Sequence, residues 1–176
     1  MTTTAMHYTK GPRNKPLRLV VIHSMESQEK PGTAVNVAKW FSGATSPKTS
    51  AHVCVDSQSI VTVVEDSDIA WAAPGGNSDG LHIECAGTAA QTREQWLDKY
   101  SVGVLDNAAK VAAGWCKKYS IPAVLLTPAQ VADGKTKGIC GHVTVTKAFP
   151  KLGTHTDPGT NFPWDVFISK VKALIV

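Results

Sequence analysis

Leu17-Arg18-Leu19-Val20-Val21-Ile22-His23 is a run of β-branched and apolar residues that ends in a histidine. Apolar on both faces, it reads as a strand inside a sheet that is covered on both sides. The histidine stands at the strand's C-terminal end, where open sheets present functional groups. Further strands flank it. Ala51 to Asp56 and Ile60 to Glu65 read as a hairpin turned by Ser57-Gln58-Ser59, with His52, Cys54 and Asp56 on one face. Leu81 to Cys85 is a short strand. Its alternation sets His82 and Glu84 on one face and Leu81, Ile83 and Cys85 on the other.

Helical patterns alternate with these strands. Thr33 is placed to cap a helix to about Phe41, with Val37, Trp40 and Phe41 on one stripe. Leu105, Ala108, Ala112, Trp115, Cys116 and Tyr119 recur at helical spacing within Ser101 to Tyr119, and Pro122 stops that helix. Thr127-Pro128 opens a short linking segment or helix. Phe162 to Leu174 is an amphipathic helix with Trp164, Phe167, Ile168 and Val171 inward. Strands and helices in this order mean α/β or α+β.

A length of 176 residues suits one domain, 17–176, preceded by a polar tail or edge extension, 1–16. The 43% hydrophobic content is that of a folded globular chain and excludes disorder as the default. A net charge of +4 is too small to argue for nucleic acid, though it suits a polyanionic surface such as a bacterial wall. No apolar run is long enough to span a membrane, and the first sixteen residues carry no signal-peptide core, so the expectation is a protein made in the cytoplasm. Cys54, Cys85, Cys116 and Cys140 show no Cys-x-x-Cys spacing and read as buried free thiols.

Gly141-His142-Val143-Thr144-Val145-Thr146-Lys147-Ala148-Phe149-Pro150-Lys151-Leu152-Gly153-Thr154-His155-Thr156-Asp157-Pro158-Gly159 reads as a loop stiffened by its prolines. It holds His142 after a glycine and Asp157 before a Pro-Gly turn. Joined by His23, these make two nitrogen donors and one oxygen donor, remote in sequence. That is how catalytic zinc sites are assembled, with a fourth position open to water. By residue type alone, each of the six histidines is equally readable as a satisfied core or surface residue, and no His-Glu-x-x-His helix is present. Cys140 lies two residues before His142, and a Cys–His nucleophile pair is not the reading adopted.

The residues so collected resemble the type-2 N-acetylmuramoyl-L-alanine amidases, a family that includes phage endolysins and peptidoglycan recognition proteins. The matching pieces are Val-Ile-His23-Ser, Thr33 to Phe41, Ser50-Ala51-His52-Val53 and Asp68-Ile69-Ala70-Trp71. Asn77, Leu81-His82-Ile83-Glu84, Gly141-His142, Thr156-Asp157-Pro158-Gly159 and Phe162-Pro163-Trp164 follow. They come in the family's order and cover about Leu17 to Val176.

The resemblance implies an α/β fold with a central mixed sheet flanked by helices, and one Zn2+ at the floor of a surface groove. It implies His23, His142 and Asp157 as metal ligands and Glu84 as the catalytic acid–base. Trp71 and Asn77 match positions flanking the substrate. The family often has lysine two residues before the aspartate; here His155 stands there, a candidate oxyanion donor. Some branches have tyrosine before the second-motif histidine; here it is Ala51. The small residue two before the glutamate is His82 here. Facing the same way as Glu84, it is expected to line the substrate site, a packing role being equally open. His52, placed with it among the substrate-lining residues, is also readable as structural or as a partner orienting a ligand.

The implied activity is hydrolysis of the bond between N-acetylmuramic acid and L-alanine, on bacterial peptidoglycan or muropeptides. It comes with no nucleic-acid partner and no membrane insertion. A phage endolysin catalytic domain, acting on the wall after release, is the reading preferred. The alternatives are a cytosolic muropeptide-recycling amidase and a non-catalytic peptidoglycan-binding module. A separate wall-binding domain in a longer parent chain fits the endolysin reading.

Overall fold

The computed structural model describes residues 2–175; Met1 and Val176, the outer bounds expected for tail and domain, lie outside them. Along the chain run β1 (Tyr8–Thr9), β2 (Leu19–Ser24), α1 (Thr33–Ser42), β3 (Val53–Val55), β4 (Ile60–Thr62), β5 (Ile69–Ala70) and β6 (Gly80–Cys85). Then come α2 (Arg93–Trp96), α3 (Lys99–Tyr119), α4 (Pro128–Ala132), β7 (Gly138–Gly141), α5 (His142–Ala148) and α6 (Trp164–Ile175).

Five strands form the central sheet in the order β4-β3-β6-β2-β7. β3, β6, β2 and β7 are mutually parallel and β4 is antiparallel, so the sheet is mixed. Every residue of β2 is buried, as a doubly covered strand requires. Val20 and Ile22 join Leu81, Ile83 and Cys85 against α3 and α6. Leu19 and Val21 point the other way, into a cluster with Cys140 and Val145. Two ends of the sheet are thus distinct: His23 and Glu84 are register partners at the C-terminal end of β2 and β6. At the opposite end, Arg18 pairs with Asp79 at 2.7 Å and donates to the carbonyls of Val131 and Thr136.

Local chemistry explains where the elements begin. Asp98 accepts the Ser101 amide at 2.8 Å, so α3 starts two residues before the expected Ser101. α4 opens with a capping box between Thr127 and Gln130, with Pro128 in the first turn. α1 departs from expectation. Its N-cap is Gly32 at φ 86, not Thr33, and the Asp56 carboxylate takes up the Ala34 amide at 3.0 Å. Its inward stripe is Ala34, Ala38 and Phe41, while Trp40 is 52% exposed.

One larger reading needs correction. Gly141 to Gly159 is not all loop: Gly138–Gly141 is a strand and His142–Ala148 a helix. The β-branched run Val143 to Thr146 disfavours a helix by propensity. Tertiary contacts override it: Val145 packs into the cluster on β2, and the Val143 amide donates to the Asp157 carbonyl at 2.8 Å.

Of the two readings of the N-terminal segment, tail or edge extension, the strand pairings are those of an edge. β1 pairs antiparallel with β5, and Thr3 and Ala5 donate to the carbonyls of Thr62 and Val63. Arg13 then reaches inward, donating Nε–H to Asp66 O at 2.8 Å, Nη1–H to Ser78 O at 3.2 Å, and Nη2–H to Asp68 O. With a weaker contact to Asn77 O at 3.4 Å, removing this side chain strands four half-buried carbonyls. Arg13→Ala should therefore lower the unfolding free energy by about 2–3 kcal/mol in urea titrations. A loss below about 0.5 kcal/mol would mean that Arg13 does not hold the edge in place.

Candidate active site

Three chain-distant side chains meet above the C-terminal end of β2. His23 is the fifth residue of that strand, His142 the first of α5, and Asp157 lies in the loop that α5 tethers through its Val143 amide. The Asp157 carboxylate sits between the two rings: Oδ2 is 3.0 Å from His23 Nδ1 and Oδ1 is 3.1 Å from His142 Nδ1. One donor atom from each residue lies within 4.8 Å of the others, and all three residues are buried. Donors on a tetrahedral zinc are roughly 3.3 Å apart, so this set fits such an ion with small adjustment.

Charge and burial agree with that role. Burial would raise the Asp157 carboxyl, but hydrogen bonds from His142 and His23 override it and hold the group far below the usual range. Burial pushes the His142 imidazole down against the opposing hydrogen bond to Asp157, and the net lowering favours the neutral ring that a metal ligand must be. Glu84 stands beside His23 in register and is partly buried. Its Oε2 is shielded and has no hydrogen-bond partner. Burial, then the charges of Asp157 and Glu26, push its carboxyl well above the ordinary value. A carboxylate so placed is a stronger proton acceptor than an exposed one.

His155 stacks on His142 with ring centroids 4.0 Å apart and 19° between planes. Its Nδ1 is 3.9 Å from Asp157 Oδ1, and its side chain is 55% exposed. Burial and then the neighbouring His142 lower its pKa, which favours a neutral ring with an N–H to offer.

The expected substrate-lining set is not brought together. His52 and His82 are both 0% exposed, so neither ring lines an open surface in this structure. Both lie beneath the site: His82 Nδ1 is 3.1 Å from His23 Nε2, and His52 Nδ1 accepts the His82 amide at 3.0 Å. Arg13 Nη2 at 2.8 Å and the Asp68 carbonyl at 3.3 Å close over His52, which strand alternation alone does not reveal. Asn77 uses its Oδ1 to accept the amides of Ala72 and Ala73 at 3.0 and 2.6 Å, so that oxygen serves the turn. Trp71 keeps part of its ring exposed, donates its indole N–H to Thr9 at 2.9 Å and stacks on His7.

Two residues escaped the sequence reading. Arg13 approaches His52 from the N-terminal edge, its Nη2 2.8 Å from His52 Nε2. Nothing in its local sequence marks it. Glu26, at φ 50, follows His23 and Ser24 in the loop after β2. It accepts the Ser24 hydroxyl at 2.6 Å and the Ala89 amide at 2.8 Å. A carboxylate three residues past a strand-end histidine was the available signal.

A family model described as N-acetylmuramoyl-L-alanine amidase matches residues 13–160. No curated protein sequence matches the chain. Among solved structures, the Staphylococcus aureus hydrolase AmiA in complex with its ligand is similar at TM-score 0.70 and 17% identity, over 99% of this chain and 85% of that one. A mutant endolysin from Bacillus subtilis is similar at 0.60 and 16%, over 97% and 99% of the two chains. The N-acetylmuramoyl-L-alanine amidase LysC from Clostridium intestinale is similar at 0.57 and 13%, over 98% and 97%. At these identities the structural likeness is one of fold, and the fold is the mixed sheet flanked by helices.

The buried histidines set an acid limit on stability. Burial, aided by the Arg13 charge, lowers the His52 pKa to about 3 from its ordinary 6.5. Between those values the unfolded chain binds a proton that the folded chain refuses, so stability falls as pH drops through that window. The slope is about 1.4 kcal/mol per pH unit for this residue. Metal-free protein should lose stability between pH 6.5 and 5, where ordinary carboxylates have barely begun to titrate, and His52→Asn should show a shallower slope. Equal slopes in the two proteins would contradict a neutral buried His52.

Proposed function

The chain belongs to the N-acetylmuramoyl-L-alanine amidase family, and we propose that it cuts the amide between N-acetylmuramic acid and L-alanine with one zinc ion held by His23, His142 and Asp157. The activity itself, hydrolysis of a peptidoglycan amide, is that of the family. The observation that carries the zinc reading is the convergence of two imidazole Nδ1 atoms on one buried carboxylate. Bound there, zinc would supply a Lewis acid that lowers the pKa of water to about 7 and polarises the scissile carbonyl.

The protein's own groups do the rest. Glu84 takes a proton from the attacking water as the new C–O bond forms. It returns that proton to the alanine nitrogen as the C–N bond breaks, so that the free amine leaves. His155 donates an N–H to the oxygen on which negative charge develops. With Nδ1 turned towards Asp157, its Nε2 is the nitrogen placed to do so. Asp157, held ionised, keeps both ligand rings turned inward. Trp71 offers part of an indole face to a sugar ring.

We further propose that the substrate is the polymeric wall, as for an endolysin catalytic domain. The net charge of +4 supports this, since bacterial walls are polyanionic. Intact sacculi should be cut at least as well as soluble muropeptides. Strong action on soluble fragments with little on sacculi would instead mark a recycling amidase.

Glu84→Ala should retain about one zinc per chain and lose about 100- to 10,000-fold in turnover, read as amine released from purified wall. Chelation of the ion should abolish release, and added zinc should restore it. Near-normal turnover in the variant removes Glu84 from the chemistry; release that survives chelation removes the ion.

A further inference from the structure

His82 stands two residues before Glu84 on β6 and faces the same side of the sheet. Its ring is fully buried, and its Nδ1 is 3.1 Å from His23 Nε2. The other nitrogen of His23, Nδ1, faces Asp157. A histidine that gives its Nδ1 lone pair to an ion carries its only N–H on Nε2, and that N–H needs an acceptor. Among the described residues the acceptor is His82 Nδ1.

His82 can accept there only if its own proton sits on Nε2. That nitrogen is buried and, among the described residues, has no partner. It points at Gly80, where an added Cβ would stand 3.2 Å away. The fold therefore leaves one N–H unpaired while it presents a lone pair to His23. An apolar ring would fill the same space without that loss, so packing alone does not account for an imidazole.

The plane of His82 is set from behind. His52 stacks flat against it, with centroids 5.5 Å apart and 12° between planes. His52 is itself held on two sides: its Nδ1 accepts the His82 amide at 3.0 Å, and its Nε2 lies 2.8 Å from Arg13 Nη2 and 3.3 Å from the Asp68 carbonyl. His52, so held, backs the plane of His82, and His82 in turn meets His23.

We propose that His82 is a positioning residue: its Nδ1 fixes His23 as the Nε2–H tautomer and aims His23 Nδ1 at the metal position. This rests on the zinc reading of His23, His142 and Asp157, and it adds that zinc affinity depends on an acceptor at the place of His82 Nδ1.

Two variants and one spectrum test it. His82→Phe keeps a ring and removes the acceptor. His82→Asn keeps an oxygen where Nδ1 stood. Zinc affinity, measured by competition with a chelator of known strength, should fall about 10- to 100-fold in the first. In the second it should stay within about threefold of the parent. Two-bond 1H–15N correlation on the unsubstituted protein should show His82 bare at Nδ1 and protonated at Nε2. Unchanged affinity in a folded His82→Phe, or equal losses in both variants, overturns the proposal. So does a protonated His82 Nδ1, whatever the ion does. An unsubstituted protein that binds no zinc, with the His82 tautomer as expected, sinks the zinc reading and leaves the His82–His23 hydrogen bond standing.

Discussion

A single carboxylate ties the catalytic end of this fold together. Asp157 touches His23 on the sheet and His142 on α5, and its backbone carbonyl takes the Val143 amide. One residue therefore joins a strand, a helix and a long loop. Burial works against its charge, and two imidazoles hold it ionised all the same. The geometry is self-consistent only while all three partners are present, because a buried carboxylate without them would take up a proton.

The sheet turns this contact into a site. β2 and β6 are parallel, so their C-terminal ends lie side by side and His23 meets Glu84 in register. Parallel pairing requires crossovers, and the crossovers bring the helices that cover both faces. β7 extends the same arrangement: Ile22 pairs with Gly141, and the next residue, His142, begins α5 above His23. Gly141 is needed there for closeness, since a Cβ would meet Pro158 Cδ at 2.8 Å and Trp164 at 3.1 Å.

What the residues disclose in advance is whatever depends on period and residue type. The apolar run at β2, the alternation of β6 and the helical stripe of α3 all follow from spacing that local sterics translate directly. The donor set was legible because His, His and Asp are the residue types that a zinc site uses. The remainder depends on distant partners. α5 forms against its β-branched composition because Val145 finds a core and Asp157 a cap. His82 was expected near a substrate because it shares a face with Glu84, yet a face says nothing of what lies over it. Arg13 shows the limit most plainly. It reaches Asp66, Asp68, Asn77 and Ser78, more than fifty residues away, from a segment with no pattern of its own.

The two faces of the sheet are specialised, and one constraint sets both. On one face Val20, Ile22, Leu81, Ile83 and Cys85 are dry, apolar and packed against α3 and α6. On the other, the same two strands present His23, His82 and Glu84, with His82 Nε2 and Glu84 Oε2 buried and unpartnered. Each such atom costs about 1–3 kcal/mol. Apolar side chains on the first face are each worth a similar amount or more, so the core behind the sheet offsets what the site gives up. Because side chains alternate with a period of two, a slip of one residue in β2 would send His23 into the α3 side and Ile22 into the metal position. The alternation that keeps the core dry is therefore also what aims the ligands, and selection for either one enforces the other.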